Sequence, residues 1–203
     1  LFGSETIGGD RPADVVVPAT YDGITPMPLL FLLHGYSANA KLQDIYFRLS
    51  LRAEEDGFIL VLPNGTLDQT GTTFWNAFPS SSETVDDVGY LMGLLDEMEE
   101  TWRVDSEKVY FLGHSNGGYM SYRLACDHAD RITGFLNFAG LSPYWSESKC
   151  KPSEPVSMLH VHGNIDDRVP YESVEGLRCK ALLVCDSRNI YIIKRRSQHF
   201  FAE

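Results

Sequence analysis

The sequence predicts an α/β fold: a mostly parallel central sheet covered by helices on both faces. Three observations predict it. Short apolar runs alternate with longer helical patterns along the chain. One run, "PLLFLLHG" (28–35), is apolar almost throughout, as a strand buried on both faces must be. And the His34-Gly35, Ser115 and His162-Gly163 segments each follow an apolar run. That spacing puts all three at the carboxyl ends of strands, where ligands bind in such sheets.

The elements follow in order. "DVVVP" (14–18) reads as a strand, and 28–35 as a central one stopped by Gly35. A helical pattern comes next, with Leu42, Ile45, Leu49 and Ala53 on one face and Gly57 as its C-cap. "FILVLP" (58–63) is a strand ended by Pro63. Residues 64–82 are rich in Gly, Thr, Ser and Asn, hold Trp75 and read as a long surface loop. Thr84 is placed to cap a helix reaching Trp102, with Val88, Leu91, Leu95, Met98 and Trp102 on its apolar face. Asp86 and Asp87 fall in its first turn, where the helix dipole favours negative charge. "KVYFLG" (108–113) is a strand followed by a helix, and "ITGFLNFAG" and "VSMLHVHG" are two more strands.

Composition narrows the function. The 203 residues suit one domain, and 43% hydrophobic content is ordinary for a globular chain. No apolar run is long enough to span a bilayer. A net charge of −11 argues against nucleic acid or an anionic membrane as partner, since both need a basic face. The chain begins at Leu1 with no visible signal peptide; a mature form and a fragment would both begin this way. Cys126, Cys150, Cys179 and Cys185 allow three full pairings, and none has CxxC spacing, which disfavours a zinc ribbon. Residues 177–203 hold six Lys/Arg and two Asp/Glu, whereas 1–176 carry a charge of −15. The expected organisation is therefore a domain over 1–176 and an atypical basic tail over 177–203.

G-H-S-N-G at 113–117 matches the Gly-x-Ser-x-Gly nucleophile elbow in its required setting, strand before and helix after. The chain must turn sharply there, so side chains at 113 and 117 would collide with their neighbours. The turn lifts the Ser115 hydroxyl into the open beside a helix N-terminus. A serine needs a base to take its proton and an oxyanion hole to hold the developing charge. The Asn116 backbone N–H is the natural first donor, and "LLHGYS" makes the Tyr36 N–H the second. His34 orders that loop or lines the substrate site. The acid should follow a later strand: in "LHVHGNIDDRVPY" either Asp166 or Asp167 serves, or both only form a turn. His160 and His162, at i, i+2 on one strand, have a spacing that metal ligands use, but no carboxylate cluster completes a site, so no metal or other cofactor is expected. Phe74 and Trp75 either contact substrate or pack the loop.

Together "PLLFLLHGYSANA", "LPNG", "FWNAF", "VDDVGYL", "VYFLGHSNGGYMSYRLAC" and "HVHGNIDDRVPYESVEG" resemble the polyhydroxybutyrate depolymerase and feruloyl esterase group of α/β-hydrolases, over residues 8 to 176. The resemblance implies an α/β-hydrolase fold, Ser115 as nucleophile and Asp166 as acid. It implies a secreted enzyme acting on esters of plant cell wall or storage polymers. It also implies a Cys126–Cys150 disulfide, worth about 3 kcal/mol. The departure is at the end. The family carries further helix and strand and a Gly-rich loop with the catalytic histidine; this chain runs "LRCKALLVCDSRNIYIIKRRSQHFFAE" instead. The last strand and the histidine loop are expected to be missing or altered, through truncation or a frame shift. A bare sheet edge and reduced solubility would follow. His199 is the one histidine after Asp166 and so the candidate base. The leading reading is a serine carboxylesterase working through an acyl-enzyme on an ester substrate. Its alternatives are an impaired homologue or binding protein lacking the base and, below both, a peptidase.

Overall fold

The computed structural model describes residues 3–79, 81–143 and 150–170, and the backbone of 190–195. Its centre is an eight-stranded sheet. Strands β1 (Gly3–Ile7) and β2 (Ala13–Val17) form an antiparallel hairpin. β2 then pairs antiparallel with β4 (Ile59–Leu62). From β4 onward all pairing is parallel, through β3 (Met27–Leu33), β7 (Val104–His114), β8 (Gly134–Phe138) and β9 (Ser157–Gly163) to β10 (Ile190–Arg195). The spatial order is β1-β2-β4-β3-β7-β8-β9-β10.

Strand periodicity divides the core. Leu29, Phe31 and Leu33 of β3 join Val61, Phe111 and Phe135 on one face. Helix α3 (Asp87–Thr101) covers that face with Leu91, Leu94, Leu95 and Met98, and α4 (Asn116–Asp127) with Met120 and Leu124. Phe31 and Phe111, adjacent in the parallel register, stack with ring centroids 4.6 Å apart. On the other face Leu32, Leu60, Leu62 and Leu112 meet Ala40 and Ala53 of helices α1 (Ala40–Phe47) and α2 (Leu49–Asp56). Nearly every side chain of β3 and β4 faces one layer or the other, which is why those strands read as unbroken apolar runs.

Three elements differ from expectation. The helix expected after Gly35 is two helices, because Arg48 adopts a left-handed conformation (φ 57°) between them. The axis turns there, so the 3.6-residue period does not carry through. Leu42 and Ile45 are 56% and 63% exposed, and α1 buries Ala40 and Gln43 instead. Helix α3 is capped by Asp86, whose Oδ1 accepts the Gly89 N–H at 2.8 Å, rather than by Thr84. Asp87 stands in the first turn of α3 as expected; it is also buried and ion-paired with Arg11 at 2.6 Å.

The 64–82 segment contains a small hairpin, β5 (Thr66–Leu67) with β6 (Thr73–Phe74), and Trp75 is fully buried in the main core. The tail is not wholly outside the sheet. β-branched "IYIIKR" suits a strand, and β10 pairs with β9 from Ile190–Met158 to Arg195–Gly163. β10, and not β9, is thus the last strand on that side of the sheet. Charge counting along 177–203 had no means of seeing this pairing. A disulfide joins Cys126 at the end of α4 to Cys150, with Cα atoms 5.3 Å apart.

Candidate active site

Ser115 follows β7 and precedes α4 with φ 50° and ψ −115°, a strained conformation for a residue with a side chain. The neighbouring glycines make it feasible. A Cβ on Gly113 would run into the Gly117 carbonyl, and one on Gly117 into the Leu33 and His34 carbonyls. Ser115 is half-buried, and its N–H donates to the Phe138 carbonyl at 2.7 Å. The strand-to-helix bend leaves the first N–H groups of α4, beginning with Asn116, without partners from the helix itself. The Asn116 side chain is docked on Trp75: its Oδ1 accepts the Trp75 N–H at 2.6 Å, and its Nδ2 donates to the Trp75 carbonyl at 3.0 Å.

The 34–38 loop lies against the serine. A Cβ on Gly35 would sit 3.2 Å from His114 Nδ1 and 3.5 Å from Ser115 Cβ. Partners remote in sequence shape this loop. His34 Nε2 accepts the Gly65 N–H at 2.9 Å, so the neutral ring carries its proton on Nδ1, which donates to the Gly35 carbonyl at 2.8 Å. A trans peptide sends its N–H opposite to its carbonyl, so this bond turns the Tyr36 N–H away from the His34 ring. Gly35 N–H is held by Gln43 at 3.1 Å and Ser37 N–H by Thr73 at 2.9 Å. Among the described residues no acceptor meets the Tyr36 N–H. The half-exposed Tyr36 ring donates its hydroxyl to Asp68 at 2.6 Å. That bond, then the Thr70 hydroxyl and the Thr72 N–H, hold the Asp68 carboxyl well below the usual carboxylate range.

His34 and Trp75 are fully buried and Phe74 nearly so. The Trp75 indole N–H donates to the His34 carbonyl at 3.0 Å. Of the two readings open for these three residues, the geometry favours loop ordering and core packing over contact with substrate. Burial pushes the pKa of His34 below its ordinary value, and that of His114 likewise, the latter opposed by the Asp166 charge.

Asp166 follows β9 in a tight turn. Its Oδ1 accepts the N–H groups of Arg168 and Val169, both at 2.9 Å, and its Oδ2 lies 3.6 Å from His162 Nε2. Its charge acts on two residues around the elbow, His114 and Tyr119; for Tyr119 it adds to burial in raising the phenol pKa. Asp167 is exposed. His199 lies outside the described residues, as do Cys179 and Cys185. His160 and His162 are buried and bonded to each other at 3.1 Å. Among the described residues no group of three or more His, Cys, Asp or Glu is arranged to hold a metal, and no helix is long and apolar enough to cross a membrane.

Sequence reading passed over Gln43, Asn64, Asp68 and Asn137, which shape the loops around Ser115. Gln43, Asn64 and Asp68 carry no local signal for this, because the groups they meet in the 35–40 segment lie 8, 24 and 32 residues away; Asn137 meets Gly140 three residues on, but its other partner, His160, is 23 residues away.

Comparison with known proteins agrees with this architecture. The acetyl xylan esterase from Aspergillus awamori superposes with a TM-score of 0.71 at 14% identity, covering 87% of this chain and 77% of that one. At that identity the likeness shows the fold, that of the α/β-hydrolases. A bifunctional acetylxylan esterase/xylanase of Neocallimastix patriciarum is 30% identical over 170 residues, covering 83% of this chain and 23% of the relative. Feruloyl esterase B of Piromyces equi is 28% identical over 163 residues, 79% of this chain and 30% of that protein. The chain thus spans less than a third of the length of either relative. The family model described as "Putative esterase" matches residues 4–174. With the elbow, the parallel sheet and this match in hand, the chain belongs to the esterase family within the α/β-hydrolase fold.

Proposed function

We propose that the protein is a serine ester hydrolase acting on acyl esters of polysaccharide, acetyl or feruloyl groups being the first choice. One observation carries the reading: a strained, half-buried Ser115 at a strand-to-helix bend, so near Gly35 that a Cβ added there would lie 3.5 Å from the Ser115 Cβ. Ser115 Oγ attacks the ester carbonyl and its proton passes to a histidine. His199 is the candidate for that base, and Asp166 for the carboxylate that orients it. The Tyr36 and Asn116 N–H groups hold the oxyanion. The alcohol leaves with the relayed proton, and water then releases the acyl group from Ser115. The Cys126–Cys150 disulfide fits a protein exported to an oxidising compartment. The substrate class is taken from the acetylxylan and feruloyl esterase relatives; polyhydroxyalkanoate esters form the comparison arm.

The test is hydrolysis of p-nitrophenyl acetate, methyl ferulate and acetylated xylan by wild type and Ser115→Ala. The alanine variant should lose about 10⁴-fold or more. Equal rates would end the reading, and a wild type that neither turns over nor reacts with a fluorophosphonate would favour a binding protein.

A further inference from the structure

Beneath the site a chain of buried polar groups runs from the loop after β8 to the turn that carries Asp166. It begins at Asn137, which is fully buried on β8. Gly140 fixes the orientation of the Asn137 amide: its N–H donates to Oδ1 at 3.1 Å and its carbonyl accepts from Nδ2 at 2.8 Å. The same Nδ2 lies 2.9 Å from His160 Nδ1. An amide nitrogen only donates, so His160 Nδ1 is an acceptor and its neutral ring is protonated on Nε2. The Tyr122 hydroxyl, 3.1 Å away, donates to the same Nδ1. His160 Nε2–H then donates to His162 Nδ1 at 3.1 Å, which leaves the His162 proton on Nε2. That proton goes to the Val169 carbonyl at 2.7 Å. A carbonyl only accepts, so the far end demands the same direction as the near end.

Both ends touch the candidate machinery. Gly140 is packed on the elbow: a Cβ there would come within 2.8 Å of the Ser115 carbonyl and would clash with the Asn137 amide oxygen. Val169 holds Asp166 through its N–H while His162 holds Val169 through its carbonyl. We propose that His160 and His162 are positioning residues: a one-way hydrogen-bond relay that sets the Asp166 turn relative to the Ser115 elbow. The relay also gives the paired histidines a role other than metal binding, since their facing nitrogens are spent on each other. The inference rests on the reading of Asp166 as the acid.

Two measurements test it. His162→Leu removes the donor to Val169, whereas His162→Gln presents an amide N–H near the same point. With p-nitrophenyl acetate, His162→Leu should lower kcat about 10²-fold at nearly unchanged KM, and His162→Gln should recover most of the loss. A His162→Leu enzyme at wild-type rate, or a Gln variant no better than Leu, overturns the relay. Asp166→Asn in the same assay separates the two ideas. If it is fully active, the acid reading fails; if it is dead beside an unimpaired His162→Leu, only the relay fails. The second measurement needs no turnover. Imidazole ¹⁵N spectra of the wild-type protein at pH 7.5 should show both rings neutral and protonated on Nε2, and a proton on Nδ1 of either overturns the proposal whatever the kinetics give.

Discussion

The elbow at 113–117 and the loop at 34–38 face each other, yet they are built in opposite ways. The elbow is a backbone construction. Its glycines lie within five residues, and what a side chain there would strike is main chain: the Gly117, Leu33 and His34 carbonyls. The loop is a side-chain construction. His34 reaches Gly65, Gln43 reaches Gly35, Trp75 reaches the His34 carbonyl, and Thr73 donates to the Ala38 carbonyl at 2.7 Å. The segment supplying most of these partners is itself tied down by Arg11, which bonds the Asn64 carbonyl and pairs with Asp87 while Asp87 accepts the Asn76 N–H. Steric construction fails abruptly, because main-chain carbonyls held in a strand, a helix and a bonded loop do not move aside. A construction from separate hydrogen bonds erodes one bond at a time.

Substitutions separate the two modes. Gly117→Ala should be the most damaging, at about 3 kcal/mol or outright failure to fold, because the methyl group meets two main-chain oxygens. Urea unfolding reads it, and a loss below about 0.5 kcal/mol would show that the elbow has slack. Arg11→Ala strands the buried Asp87 carboxylate and should also cost about 3 kcal/mol, though it lies at the far end of the loop's support. If the loop depends on that support, fluorophosphonate labelling of Ser115 should slow in this variant as well. Trp75→Phe deletes one buried hydrogen bond while keeping most of the aromatic volume, and should cost about 1–2 kcal/mol in the same unfolding assay.

Acid should weaken both sides, since His34 lies in the loop and His114 in the elbow. Burial holds His34 and His114 below their ordinary pKa of 6.5, so just below that value the unfolded chain binds more protons than the folded one. Stability is therefore complete above about 6.5 and falls as pH drops through the window beneath it. Melting temperatures at pH 7.5 and 5.5 should show the decline, and His34→Asn should flatten it; an unchanged slope would mean that His34 does not titrate there. Tyr36→Phe should have the smallest effect on melting, since its bond to Asp68 lies at the surface. If it nonetheless slows hydrolysis, the ring helps to place the Tyr36 N–H.

The same contrast explains what could be read in advance. Gly113 and Gly117 announce themselves around Ser115 because what a side chain at each would strike is main chain, Gly117 for the first and Leu33 and His34 for the second, so the demand for glycine does not depend on which side chains are nearby. The parallel sheet was legible for a related reason: burial on both faces forces an apolar run such as 28–33 whatever covers it. The loop was only half legible. "HGYS" marks a close backbone approach, but nothing near Gln43, Thr73 or Asp68 says which atom each will meet. Trp75 was assigned to a surface loop because its neighbours are polar, and it went into the core because Asn116 and Asp87 satisfy the backbone on either side of it.

By itself the sequence determined the mostly parallel sheet and the place of the serine, since periodicity and steric exclusion by main chain leave a pattern in the chain whichever side chains surround it. Only the tertiary structure decided which histidine nitrogens carry protons, that Asp87 is a buried charge, that Arg48 breaks a helix in two and that Ile190–Arg195 pairs with β9. Those outcomes depend on groups brought together from distant segments, where a hydrogen bond or an ion pair forms only after the chain has folded and water has been excluded.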